Sequence, residues 1–106
     1  MTEHLLKLSQ NGMQFHGVIA ADDTLALAGV KYAKEMGFRI PEDFSILGYN
    51  NSMLVSCSDP ELTSIDNKLE TLCQHLITTL LGVLSGSEMP KKTIFSGEIV
   101  KRGTTR

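Results

Sequence analysis

Two apolar runs separated by a helical stretch dominate the first half of the chain. Phe15 to Ala21 (FHGVIAA) is short and apolar, consistent with a strand buried on both faces. From Asp23 the pattern changes period. Leu25, Ala28, Gly29, Tyr32, Ala33 and Met36 recur at helical spacing and are expected to face a sheet, with Gly37 as the left-handed stop. Leu27 and Val30 lie off that stripe. After the turn Pro41-Glu42-Asp43, Phe44 to Tyr49 (FSILGY) forms the second apolar run, and Leu62 to Ile65 alternates as a short strand. Leu69, Leu72, Cys73, Leu76, Leu80 and Val83 then mark the apolar face of a helix over Lys68 to Leu84 that ends at Gly86. Asn67 is the expected cap, with Glu70 three residues on. Thr93 to Val100 predicts a last strand, followed by a polar tail, KRGTTR. Upstream, Thr2 to Gln10 predicts a short helix stopped by Asn11-Gly12. The order α-β-α-β-β-α-β predicts an α/β fold with a mainly parallel sheet, flanking helices and a right-handed crossover.

Composition narrows the class. At 106 residues the chain is one domain or part of one, and a net charge of -2 leaves no basic footprint for nucleic acid in its body. Cys57 and Cys73 are far apart, with no metal spacing, and read as free thiols; Cys73 is expected in the helix core. No stretch reaches the roughly 20 apolar residues of a membrane span, and the N-terminus does not read as a secretory signal, so the expectation is a cytoplasmic protein without membrane contact. His4, His16 and His75 share no metal spacing. No nucleophile-base set and no phosphate-cradling glycine loop occurs, so no enzyme activity and no cofactor is expected.

Candidate chemistry sits at the strand ends. Asp22-Asp23 and Asn50-Asn51 each follow an apolar run, and parallel strands joined by a crossover helix end on one edge of their sheet, where small ligands bind in open α/β folds. Asp23 is the expected helix cap. Asn51 reads as a loop residue.

The segments AADDTLALAGVKYAKEMGFRIPEDFSILGYNNS, DPELTSID and KRGTTR closely resemble the effector-binding domain of the LacI/GalR family of transcriptional regulators. That family shows A-N-D-x-x-A-x-G, then G-x-x-x-P-x-D-x-S-[IV]-x-G-[FY]-D, then P-x-L-T-[ST]-[IV], and a closing R-x-[ST]-[ST]. Four motifs stand in that order over nearly the whole chain. Asn-Asn-Ser after Tyr49, with LTSID, looks most like the maltose-operon repressors of Gram-positive bacteria. The resemblance implies a type I periplasmic-binding-protein-like fold, two similar subdomains around a sugar-binding cleft. It also implies a DNA-binding headpiece, which this chain lacks. Residues 1–65 would be part of the second subdomain, 66–100 would cross back to the first, and 101–106 would be a C-terminal tail.

By the same resemblance, Asp22 stands where the family has an effector-binding Asn, and Asn50 where it most often has Asp. Asn67 matches a position near the hinge that reaches the effector, though capping is its first expected role. Leu69 could line the cleft, with helix core as the first expectation. Leu27, Val30, Met53, Leu54 and Val55 are the candidates for a dimer contact. The implied partners are a sugar effector such as maltose or a related glucoside, a second copy of the chain, and operator DNA only through the missing headpiece. A sugar-transport binding protein of the same fold is the alternative. A nucleotide-binding enzyme is disfavoured, because Ala20-Ala21-Asp22-Asp23 supplies acids where a phosphate needs glycines. Bare strand edges further predict that the chain is an oligomer or belongs to a longer protein.

Overall fold

The computed structural model describes all 106 residues. Its elements are α1 (Thr2–Gln10), β1 (Gly17–Ile19), α2 (Asp23–Glu35), β2 (Ser45–Tyr49), a 3-10 helix (Met53–Cys57), β3 (Thr63–Asp66), α3 (Leu69–Leu84) and β4 (Glu98–Val100). They form one four-stranded sheet in the order β1-β2-β3-β4. β1, β2 and β3 run parallel, with Val18 beside Ile46 and Gly48 beside Ser64, while β4 returns antiparallel with Ile99 beside Ile65. The expected element order and mainly parallel sheet are both present. The expected last strand is shorter, since residues 93–97 are not paired.

α2 lies on one face of the sheet, and the core is the layer between them. Asp23, Ala26, Gly29, Val30, Tyr32 and Ala33 are its buried positions, so the buried stripe is rotated from the expected one, and Leu25 and Met36 are largely exposed. Small residues explain the rotation. At Gly29 an added Cβ would lie 3.3 Å from Val18 Cγ1, so the helix approaches the strands on its least bulky side. Phe15, Tyr32, Phe38 and Phe44 stack at the base of this layer, with neighbouring ring centroids 5.7–6.3 Å apart.

The two apolar runs are not buried on both faces. Ile46 and Gly48 of β2 face α2 and are buried, whereas Tyr49, on the opposite face, is exposed. Ile19 is 79% exposed, because β1 is an edge strand and nothing covers its second face. α3 has no buried residue at all. Leu69, Leu76, Leu80 and Val83 are more than half exposed, and Cys73 is exposed rather than core. The chain is accordingly elongated. Its radius of gyration is 18.2 Å, where a compact chain of this length would have about 13 Å.

The C-terminal six residues are not a tail. Thr104 is fully buried, and its Oγ1 donates to Ile46 O at 2.7 Å while accepting from Thr63 N at 2.9 Å. Ile46 N donates to Thr104 O at 2.8 Å, and Gly103 N donates to Glu61 O at 2.9 Å. β3 begins opposite Leu47, one residue after Ile46. The closing segment therefore fills the gap in the ladder, which is why a polar stretch is drawn into the fold.

Between α2 and β2, Arg39 and Asp43 form a two-pronged pair, with Nε–Oδ2 and Nη2–Oδ1 both 2.8 Å. Hydrogen bonding from Arg39 holds the Asp43 carboxyl down from its ordinary 3.8 to about 2, and the carboxylate raises Arg39 in return. A depressed folded-state value means that the pair's stabilisation is complete above the ordinary value and fades as pH falls towards about 2. Melting curves across that window are expected to show an acid loss that Asp43→Asn removes. Parallel pH profiles for the two chains would contradict this.

Candidate functional site

The C-terminal edge of the parallel strands carries a cluster of amides and carboxylates. β2 ends at Tyr49, and the next two residues turn sharply with positive φ, 95° at Asn50 and 47° at Asn51. Asparagine is the residue besides glycine that best tolerates this region. The turn aims Asn50 across the edge to the end of β3, where Asn67 Nδ2 donates to Asn50 Oδ1 at 3.1 Å. Asn50, Asn51, Asp66, Asn67, Lys68 and Thr71 bound an open, largely polar concavity of about 740 Å³. Leu69 lines it too and is exposed, so it is not helix core.

Asp22 and Asp23 exchange their expected capping roles. Asp22 has extended backbone and is the cap, its Oδ1 accepting from Leu25 N at 2.8 Å. It sits at the end of the neighbouring strand, outside the lining of the concavity. Asp23, 2% exposed, turns inward. Its Oδ2 accepts from Ser52 N at 2.7 Å and Ser52 Oγ at 2.8 Å, and its Oδ1 accepts from Ser64 Oγ at 2.6 Å. One carboxylate thus ties the start of α2 to the loop after β2 and to β3. A side chain on Gly48 would collide with that carboxylate, which explains a glycine in mid-strand.

Asn67 does not cap α3. The cap position is Lys68, with φ 54° and no side-chain cap bond. Asp66 instead makes a turn just before the helix, its Oδ1 accepting from Lys68 N at 2.7 Å. A carboxylate three residues before the helix start is a local turn signal that the Asn67-x-x-Glu70 pattern masked.

Asn51, expected to be a plain loop residue, is held on three sides. Its N donates to Ser64 Oγ at 3.0 Å, its Nδ2 donates to Asp66 Oδ2 at 3.3 Å, and its Oδ1 accepts from Arg102 Nη2 at 2.7 Å. Ser52, Ser64, Asp66 and Arg102 are thus site-supporting residues that the sequence pattern did not single out.

Among the dimer candidates, Val30 and Val55 are corrected to core positions, at 4% and 7% exposed. Both side chains are largely spent on the α2–sheet layer and the 3-10 helix, leaving little surface for a partner. Met53 is exposed, and Leu27 and Leu54 are half-buried.

A second cleft of about 620 Å³ opens at the opposite edge, between His16, Phe38, Pro41, Asp43 and Arg106. Asp43 there is already committed to Arg39. No group of His, Cys, Asp or Glu is arranged to hold a metal ion, and no helix is long and apolar enough to cross a membrane.

The sequence pattern of the periplasmic binding protein-like domain matches residues 3–105. An HTH-type transcriptional regulator of Lachnoclostridium phytofermentans is 49% identical over 98% of this chain and 32% of its own length. The HTH-type transcriptional regulator MalR of Streptomyces coelicolor is 32% identical over 89% of this chain and 28% of its own. Among solved structures, the Lac repressor dimer bound to operator and the anti-inducer ONPF superposes with a TM-score of 0.90 at 27% identity, over 98% of this chain and 36% of that one. The chain spans about a third of the length of the relatives it matches. With the family pattern, the sheet order and the strand-edge cluster all in agreement, the chain belongs to the periplasmic-binding-protein-like domain family, in the effector-domain branch found in LacI-type transcriptional regulators.

Proposed function

We propose that this chain is the effector-sensing part of a LacI/GalR-type repressor of carbohydrate-utilisation genes, acting in the cytoplasm, with maltose or a related glucoside as effector. The observation that carries the reading is the Asn50–Asn67 pair at the ligand edge of the sheet. Two carboxamides present both donors and acceptors to neutral hydroxyl groups, and Asp22, with one carboxylate oxygen left over from its capping bond, adds an acceptor on the lip. Residues 1–65 and the closing 101–106 segment form one wall of the cleft. Of residues 66–100, Asp66 and β4 stay in the sheet of this wall, while α3, whose apolar face is exposed here, belongs to the opposite subdomain, where the remainder of a longer protein covers it. The exposed Met53, with Leu27 and Leu54, is the proposed contact with a second copy. A sugar that binds the closed cleft better than the open one shifts that equilibrium, and DNA-binding headpieces on the longer protein report the shift.

The test is a chimera in which residues 2–105 replace the matching third of the Lachnoclostridium phytofermentans regulator. Its operator binding is expected to change with maltose or another glucoside from a sugar panel. Operator binding indifferent to every sugar would contradict the reading. Asp22→Ala separates the two roles of that residue. Loss of the cap costs about 1 kcal/mol of stability, and loss of the lip acceptor weakens sugar binding about tenfold, the worth of one hydrogen bond to a charged group. A melting shift with unchanged sugar affinity would leave Asp22 as a cap alone.

A further inference from the structure

Arg102 is the residue whose contacts the proposed function leaves unused. It lies two residues beyond β4 and bonds to two segments, the entry to β3 and the turn after β2. Its N donates to Thr63 Oγ1 at 2.9 Å, its Nη1 to Leu62 O at 2.9 Å and its Nη2 to Asn51 Oδ1 at 2.7 Å. The rigid guanidinium fork fixes the last two bonds relative to each other, which a lysine could not do. We propose that Arg102 is a positioning residue for the effector site, acting through Asn51 and Asp66 on the Asn50–Asn67 pair. The proposal rests on the reading of that pair as the effector site.

The relay has a defined direction at every step. Arg102 donates to the Asn51 oxygen, which leaves the Asn51 amide nitrogen to donate to Asp66 Oδ2 at 3.3 Å. Asp66 Oδ1 is then free to accept from Lys68 N at 2.7 Å, which holds the left-handed turn at residue 68. Asn67 lies inside that turn and reaches Asn50 from it. Asn51, for its part, adjoins Asn50 at a positive φ, so fixing its carboxamide fixes the strand-end turn from the other side. Both carboxamides of the site are therefore oriented from behind by one cation. The guanidinium bonds at the entry to β3 and at the turn after β2, so it braces the strand-end turn against the neighbouring strand. Ligand groups held rigidly before binding avoid the ordering cost on binding, which is the physical gain from such a brace.

The experiment uses the 106-residue chain and side-chain amide NMR. The variant Asn51→Gly removes the relay, retains the Arg102 bond to Leu62 and suits the positive φ at that position. Arg102→Lys keeps the charge and removes the fork. In the native chain a nuclear Overhauser contact is expected between the Arg102 guanidinium and the Asn51 amide protons. The two Asn67 amide protons are expected to be well separated, and to collapse towards free-amide positions in both variants while core backbone signals persist. Maltose affinity is expected to fall about tenfold in each. Absence of the Arg102–Asn51 contact in the native chain would overturn the proposal, as would unchanged Asn67 amide signals in Asn51→Gly. An altered Asn67 signal in a chain that binds no sugar even in its native form would uphold the relay and remove the sugar reading instead.

Discussion

Replacing Asp23 by alanine is expected to remove most of the chain's folding stability. The carboxylate is buried and accepts three hydrogen bonds, two from Ser52 and one from Ser64. Hydrogen bonds to a charged acceptor contribute roughly 1.5–3 kcal/mol each, and stranding the donors adds a desolvation cost, so a loss of roughly 4 kcal/mol is expected. Small domains have about 5 kcal/mol to lose, and a chain with 16 buried residues of 106 stands at the low end. Asp23→Asn should fall between, because the amide keeps one acceptor and turns a donor towards the serines. Gly48→Ala should reproduce much of the loss from the opposite side by pushing the carboxylate off its partners. Urea titration checks all three. An Asp23→Ala chain with a native-like midpoint would contradict the account of this residue.

Removal of residues 102–106 is expected to be nearly as damaging, by roughly 3–5 kcal/mol on the same scale for lost hydrogen bonds. The deletion strips Ile46 N and Thr63 N, both inside the sheet, of their acceptors, and exposes Leu62. Thr104→Val isolates the central part of that effect. The shape is kept, the hydroxyl between Ile46 O and Thr63 N is lost, and about 2 kcal/mol should go with it. A truncated chain that melts with the native one would show that the closing segment is a tail after all.

Sequence periodicity was sufficient for the order of elements and the mainly parallel sheet, while the family resemblance, not the pattern, put Asn50 and Asn67 near one site. The first two are set by local pattern or by topology. What periodicity missed depends on which side of a helix or strand the rest of the chain covers. Asp22 and Asp23 are adjacent acids before a helix, and either can cap; the choice fell to Asp22 because Ser52 and Ser64, far along the chain, supply donors for Asp23. KRGTTR is polar throughout, and only the late start of β3 shows that its hydroxyl and backbone groups complete a ladder. Cys73 and Leu69 lie on a helical stripe that reads as core, and they are exposed because the surface that such a stripe needs is not contributed by these 106 residues. Val30 failed as an interface candidate for the converse reason. It lay off the expected stripe, but the stripe itself is rotated towards it by the small residues Ala26, Gly29 and Ala33.

The proposed sugar site at the strand ends is tested most directly by amide NMR of this chain titrated with maltose and a panel of mono- and disaccharides. One wall of a cleft buries only part of a ligand, so binding in the millimolar range is expected. The side-chain amides of Asn50 and Asn67 and the backbone at Asp22 should shift together along one saturating curve for at least one glucoside. Shifts confined to the opposite cleft at His16, Phe38 and Arg106, or none at any sugar concentration, would contradict the assignment.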